Sequence, residues 1–292
     1  MRIGVVFPQT EIGPDPARIR AYAEGVTELG FSHILAYDHV VGADPAVHRP
    51  WTGPYDNRTQ FHEPFVLFGY LAAVTPIELV TGIIILPQRP TALVAKQAAE
   101  VDLLTGGHFR LGVGIGWNAV EYEALGKEFH DRGRRIGEQV RLMRRLWTEE
   151  SVTHRGEYER VTGAALAPLP VQRPIPVWFG GTSPAALRRI GRLADGWFPQ
   201  VGPGPDLDEA RALVEQAARD AGRDPATIGM EGRVNWRAGG DDAMAETVQW
   251  QAEGATHMAI NTMGAGFGSV DEHLAALSRA AGALKVDSSG HG

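Results

Sequence analysis

The residues best placed to do chemistry in this sequence are an acid and a histidine that follow a short apolar run. Asp38 and His39 come directly after the run ILAY at positions 34–37. An imidazole titrates near neutral pH, and a carboxylate beside it can orient the ring and tune it for proton transfer. The pair therefore predicts a catalytic acid–base group. The alternative is that His39 only hydrogen-bonds the loop that follows.

A second candidate site is the turn formed by Gly180, Gly181, Thr182 and Ser183, which precedes Pro184. Two glycines let backbone N–H groups approach an anion closely, and a capped helix N-terminus favours negative charge. The turn therefore predicts a phosphate-binding loop, with a plain strand-to-helix turn as the alternative. The run GVGIGW at 112–117 is not a Rossmann fingerprint, because the third glycine of that motif would fall at position 117, which is tryptophan.

Composition narrows the classes of function. The 292 residues include no cysteine and carry a net charge of −7, so thiolate chemistry is excluded and attraction to nucleic acid is not expected. A protein without cysteine fits the reducing cytoplasm, and no run of residues is long and apolar enough to predict a membrane helix. Four residues could bind a metal, but three of them fall in one irregular loop, so we expect no catalytic metal; they are His39, Asp44, His48 and His62.

The elements that would position these residues follow an alternating pattern. Short β-branched runs alternate with longer segments of helical period, which is typical of parallel sheets and barrels. The pattern predicts a (β/α)8 TIM barrel as a single domain over 1–286, followed by a disordered tail at 287–292. The eight predicted strands are 3–7, 32–37, 79–86, 109–114, 175–180, 196–199, 228–234 and 257–261.

Two segments are longer than a barrel requires. Residues 42–63 follow the second strand and are rich in Pro, Gly, His and aromatic residues, which predicts a lid over the substrate. Residues 151–173 precede the fifth strand and predict a small hairpin. Barrel enzymes place substrates at the loops that follow their strands. We therefore predict a substrate pocket that comprises Gln9, Trp51, Tyr55, Phe61 and His62.

Five stretches of the sequence are similar to a known family. They are LVTGIIILPQRP at 79–90, AKQAAEVDLLTGG at 95–107, LGVGIGWN at 111–118, IPVWFGG at 175–181 and ADGW at 194–197. Together they closely resemble the bacterial luciferase-like monooxygenase superfamily, and within it the actinobacterial deazaflavin-dependent oxidoreductases. The resemblance extends from Met1 to about Leu284.

The resemblance implies a cofactor and the residues that hold it. It implies coenzyme F420, with FMN as the alternative, lying across the carboxyl ends of the barrel strands beside a cis peptide bond between Gly82 and Ile83. Asp38 and His39 match the acid–histidine pair beside the cofactor ring. The implied cofactor-binding residues are Gly82, Ile83, Ile84, Trp117, Asn118, Gly180, Gly181, Thr182 and Ser183. Members of the superfamily are often dimers, so a homodimer is compatible with the resemblance.

The sequence also departs from the deazaflavin-dependent sugar-phosphate dehydrogenases of that superfamily. Trp117 stands where those enzymes have a glutamate beside the ring, and no lysine occurs between Lys127 and Lys285. Glucose 6-phosphate is therefore not expected as the substrate. We predict hydride transfer between F420 and an unidentified small organic substrate. The alternatives are an FMN-dependent monooxygenase and a cofactor-binding barrel without activity.

Overall fold

Eight parallel strand positions close into a barrel in the computed structural model, which describes residues 1–236 and 240–286. The tail predicted at 287–292 lies outside the described residues. The barrel strands are β1 (Arg2–Val6), β2 (His33–Ala36), β3 (Glu78–Thr81), β4 (Ile84–Ile85), β5 (Phe109–Gly114), β8 (Val177–Gly180), β9 (Gly196–Phe198), β10 (Gly229–Asn235) and β11 (His257–Asn261). The hairpin predicted before the fifth barrel strand is present as β6 (Val152–Arg155) and β7 (Arg160–Ala164), which pair antiparallel.

The third barrel position is divided between two short strands. β3 pairs with β2 and with the start of β5, where Leu79 lies opposite Phe109. β4 pairs with the end of β5, where Ile84 lies opposite Val113. Between β3 and β4, the peptide bond that joins Gly82 to Ile83 is cis, as the resemblance implies. The pairing between β3 and β5 closes the barrel, and the predicted fold is confirmed.

Helices surround the strands and follow the expected alternation. They are α1 (Pro16–Glu28), α2 (Pro64–Leu71), α3 (Thr91–Leu104), α4 (Ala119–Ala124), α5 (Arg132–Thr148), α6 (Pro184–Leu193), α7 (Pro205–Asp220), α8 (Asp241–Ala252) and α9 (Val270–Leu284), with 3₁₀ turns at Leu86–Gln88 and Pro225–Thr227. Several begin at a side-chain cap; Ser183, for example, accepts a hydrogen bond from the amide of Ala186. Within 1–236 and 240–286, every helix is too short or too polar to cross a membrane.

The strands bury both faces, because successive side chains point to opposite sides of the sheet. One set packs outward against the helices and includes Val5 and Ile34. The other set fills the barrel interior, where Val6, Leu35 and Trp178 contact one another. This interior core supports the base of the cavity at the carboxyl ends of the strands.

Charged residues close the amino-terminal end of the barrel. Glu231 accepts hydrogen bonds from Arg110 at 2.6 Å and lies 3.0 Å from the His33 ring. Arg110 also pairs with Glu78 at 3.2 Å and stacks over Trp178 at 4.2 Å. Burial acts to raise the pKa of Glu231, but Arg110 and His33 outweigh it and lower that pKa to about 2. This paired network leaves the opposite end of the barrel for ligands.

Candidate active site

Two adjoining cavities lie at the carboxyl ends of the strands, with volumes of about 350 and 580 Å³. Such volumes are typical of small-molecule and cofactor sites, and this face of the fold carries the active site in barrel enzymes. Six residues line both cavities: Gly82, Ile83, Gly116, Trp117, Gln200 and Arg233. The two cavities therefore form one continuous space.

The smaller cavity, a slot at the ends of β5 and β8, is lined by six glycines and by larger side chains such as those of Ile83 and Phe198. Ile83 projects into it from the break between β3 and β4, and Gly114 and Gly180 line it opposite. A Cβ added at Gly114 would lie 2.6 Å from the Ile83 side chain, so a larger residue would fill the slot. Ile84 turns the other way and is fully buried in the outer core. The Ile84 side chain therefore lines neither cavity, because side chains alternate along a strand.

The turn after β8 borders this slot. Gly180, Gly181 and Thr182 line the cavity. Gly181 has φ of 152°, and a Cβ there would lie 2.8 Å from Ala186, so this position requires glycine. The Ser183 hydroxyl instead caps α6 and is not among the lining residues. The turn predicted to bind phosphate thus borders the cavity through Gly180, Gly181 and Thr182, while the Ser183 side chain is used in the helix cap.

His39 lies in the larger cavity, inside an aromatic cluster. Its ring centroid is 4.7 Å from that of Phe61, 5.0 Å from that of Tyr55 and 5.7 Å from that of Trp117. Trp51 packs on Trp117 at 5.7 Å and donates its indole N–H to the Tyr55 carbonyl. Two rings of the segment predicted as a lid, those of Tyr55 and Phe61, therefore pack against the His39 ring.

The carboxylate that meets His39 belongs to Glu121, on α4. Glu121 Oε2 lies 3.5 Å from His39 Nδ1, and the glutamate side chain is fully buried. Its other oxygen accepts from the amides of Val40 and Val41, and Gln88 donates to Oε2. Burial acts to raise the pKa of Glu121, but the hydrogen bonds from His39, Val40 and Gln88 outweigh burial and lower it. Glu121 is therefore an ionised partner for the imidazole.

Asp38 lines the larger cavity, but its carboxylate binds groups other than the His39 ring. Its carboxylate accepts from the Ile85 amide at 3.0 Å and from Arg89 at 2.8 Å, and Arg89 also binds Glu63 at 2.8 Å. Adjacent residues after a strand point apart, so the Asp38 carboxylate does not orient the His39 ring. Instead, it ties the turn after β2 to β4 and to the end of the lid.

The remaining predicted residues divide between the cavity and its support. Tyr55 lines the larger cavity, and Phe61 and Asn118 line a small adjoining space under the lid. Asn118 also caps α4 through the Val120 amide. Gln9 is fully buried and hydrogen-bonds both backbone groups of Tyr37, which places it behind the cavity.

His62 lies outside the two main cavities. Its ring packs against Phe7, with the ring centroids 6.0 Å apart. Of the five residues predicted for the substrate pocket, the structure thus places Tyr55 at the larger cavity and Phe61 at the adjoining space. Trp51 packs on Trp117, and Gln9 and His62 line neither of these spaces.

Two residues of the site were not predicted. Glu121 stands three residues after Asn118, a spacing typical of a helix cap, and only the three-dimensional structure shows that it turns toward His39. Arg233 lines both cavities. The signal that could have identified Arg233 is the alternation of Glu231, Arg233 and Asn235 in one strand, because barrel interiors are normally apolar.

With this geometry established, comparison with known proteins assigns the chain. Residues 1–290 match the model of the luciferase-like monooxygenases. The chain belongs to this family. The predicted family is thus confirmed.

The proteins similar to this chain differ in how much of it they match. An uncharacterized protein of Mycobacterium tuberculosis is 40% identical over 164 residues, which is 56% of each protein, so the chain spans about half the length of these relatives. An F420-dependent glucose-6-phosphate dehydrogenase of Nakamurella multipartita is 30% identical over 263 residues, covering 86% of this chain and 73% of that protein. The structure of an F420-dependent secondary alcohol dehydrogenase in complex with an F420–acetone adduct superposes with a TM-score of 0.78. It covers 97% of this chain and 98% of that one at 17% identity, and this likeness shows the fold alone.

Proposed function

We propose that this protein is an oxidoreductase that binds coenzyme F420 at the carboxyl ends of the barrel strands and transfers hydride between F420 and a small organic substrate. The observation that carries the proposal is that a glycine turn at a helix N-terminus and a histidine–carboxylate pair border one continuous space. The F420-dependent relative at 30% identity supports the choice of cofactor.

The residues present fit such a cofactor. Ile83 packs against Gly114 and lines the smaller cavity with it, which leaves a ring room beside this pair, and the backbone at Gly180 and Gly181 suits a phosphate. These residues would hold the cofactor, and Trp117 would cover it from the lid side. When bound, F420 supplies a carbon that accepts or donates hydride.

The side chains around His39 would handle the proton that accompanies hydride. Because Nδ1 of His39 faces Glu121, Nε2 is left for a group in the cavity. The imidazole can then donate a proton to a substrate oxygen or take one from it, while Glu121 stabilises the charged ring. Tyr55 and Phe61 keep this exchange away from solvent.

The substrate of the Nakamurella relative is not proposed for this chain. Trp117 occupies the position of the ring-side glutamate of the sugar-phosphate dehydrogenases, and the later half of the barrel has no lysine before Lys285. An aromatic wall beside His39 favours a substrate with an apolar body.

Cofactor titrations test the proposal. F420 and FMN are titrated into the wild-type protein and into the Gly181→Ala and Gly202→Ala variants. We expect F420 to bind the wild type more tightly than FMN does. Gly181→Ala should weaken F420 binding about tenfold, because a side chain there costs about 1–2 kcal/mol of backbone strain and meets Ala186.

Gly202→Ala is the matched control, because a Cβ at Gly202 meets nothing within 4 Å. Tight FMN binding with oxygen consumption, and no tightening with F420, would instead establish the flavin monooxygenase alternative. Cofactor binding without any turnover across carbonyl and alcohol substrates would favour a non-catalytic barrel.

A further inference from the structure

Arg233 is a cation held inside the candidate active site. It lies on β10 between Glu231 at the base of the barrel and Asn235 at the rim, and the alternation of the strand points all three toward the interior. Arg233 lines both cavities, and among the described residues no other lysine or arginine lines either of them. It is therefore the single fixed positive charge that a ligand in this space would meet.

The guanidinium of Arg233 has only weak partners. It donates to the Tyr37 hydroxyl at 3.3 Å and to Gln200 at 3.5 Å, both neutral groups. Within residues 1–236 and 240–286, no carboxylate oxygen lies within 4 Å of it, whereas Arg89 and Arg110 each pair with two acids. A partly buried arginine with neutral partners retains donors for an anion.

The positions of Arg233 and His39 define a ligand with two different ends. Both residues line the larger cavity, and so does Tyr55, whose ring contacts that of His39. Burial raises the pKa of Tyr55, and the charge of Arg233 acts against that rise. The His39 end is walled by aromatic rings, and the Arg233 end by amides, with Asn261 donating to Asn235. Three carboxylates also line the cavities, and each has its own partner: Glu11 accepts from the Gly264 amide, Asp38 from Arg89 and Glu231 from Arg110.

We propose that Arg233 binds a carboxylate of the organic substrate, so that the substrate class is an acid with an apolar body. The planar guanidinium fork matches a carboxylate with two parallel hydrogen bonds. One cation also balances one negative charge, whereas a phosphate dianion would leave charge unbalanced in a cavity without a second lysine or arginine. The inference rests on the proposed function, since it assigns the substrate of that same site.

Two probes of equal shape test this inference. Cinnamate and its neutral counterpart cinnamamide are titrated calorimetrically into the wild type and into Arg233→Gln, Arg233→Lys and Arg58→Gln. Each titration is run with and without F420. Arg58 is an exposed lid residue outside the cavities and is the matched loss of one charge.

We expect cinnamate to bind the wild type and Arg58→Gln about tenfold more tightly than cinnamamide, and Arg233→Gln to abolish that preference. Arg233→Lys should retain part of it, because the charge remains without the fork. The affinity for F420 should stay within about twofold of the wild type in all variants. Thermal melts identify any variant that does not fold, in which case Arg233→Lys alone decides the comparison.

Three results would overturn the inference. Equal binding of the two probes to the wild type would show that no carboxylate is recognised. A loss of F420 affinity in Arg233→Gln with an unchanged probe preference would show that Arg233 contacts the cofactor instead. Displacement of cinnamate by inorganic phosphate at lower concentration than by acetate would show a phosphate site. Failure of F420 to bind any variant would refute the proposed function, while the titrations without F420 would still test Arg233.

Discussion

Replacing Glu121 by glutamine should change which nitrogen of the His39 ring carries the proton, while leaving the surrounding structure in place. The retained oxygen of the glutamine can still accept from the amides of Val40 and Val41. Gln88 has a buried oxygen with no hydrogen-bond partner among the described residues, so its amide can turn over to accept from the new N–H₂ group. The substitution therefore removes the charge beside His39 and little else.

The size of the effect follows from the contact between Glu121 and His39. Hydrogen bonds to charged groups contribute about 1.5–3 kcal/mol. The separation of 3.5 Å between Oε2 and Nδ1 is at the long limit, so the lower end of that range applies. About 1.5 kcal/mol corresponds to roughly tenfold in an equilibrium. In Glu121→Gln, the ratio of the Nδ1–H tautomer to the Nε2–H tautomer should fall by about that factor.

Nitrogen NMR of histidine-labelled protein measures the tautomers directly. The His39 signals are identified by their loss in His39→Asn. Glu123→Gln is the matched control, because Glu123 lies exposed on the same helix. A tautomer ratio in Glu121→Gln equal to that of the wild type and of the control would refute the assignment of Glu121 as the residue that positions His39.

Two further predictions concern the barrel itself. The folded-state pKa of Glu231, about 2, lies below its ordinary value. The ionised carboxylate therefore stabilises the fold at neutral pH, and this stabilisation is lost as the pH falls from about 4.5 through 2. At pH 7, Glu231→Gln should lower the free energy of unfolding by roughly 3 kcal/mol. Urea unfolding measures this loss. The control is Glu24→Gln, which removes an acid from an exposed ion pair and should unfold at the same urea concentration as the wild type. Equal unfolding midpoints for the two variants would contradict the reasoning. Gly112→Ala should abolish the stable fold, because its Cβ would lie 1.9 Å from the Thr81 carbonyl oxygen on the neighbouring strand; a normal yield with an unchanged thermal melt would show that the barrel can widen there.

The sequence was sufficient for the architecture because a barrel repeats one signal. Each of the eight predicted strands overlaps a strand of the structure, and the hairpin at 151–173 is present. The break in the third strand at Gly82 and Ile83 came from the family resemblance and not from local pattern. The periodicity of the sequence predicts one continuous strand there. In the structure, β3 and β4 are separate strands that both pair with β5.

Of the predicted site residues, those chosen from a backbone turn lie at the cavities, whereas the direction of single side chains could not be read from the sequence. The turn at Gly180 and Gly181 borders the cavity because every turn from a strand to the following helix lies at the carboxyl end of the barrel. Ile84 was misplaced by one position in a strand, which reverses the face. Glu121 was missed because a contact between α4 and the turn after β2 has no local signature.

Two acids, Asp38 and Glu121, restrain the chain on either side of His39. The carboxylate of Asp38, the residue before His39, accepts from the Ile85 amide and from Arg89. The Glu121 carboxylate accepts from the amide of Val40, the residue after His39. The backbone at His39 is thus restrained from both sides, and the ring has one carboxylate within reach. Trp117 packs against the ring, with the ring centroids 5.7 Å apart. Glu121 meets the ring at Nδ1 from α4, so Nε2 is the nitrogen directed away from this carboxylate.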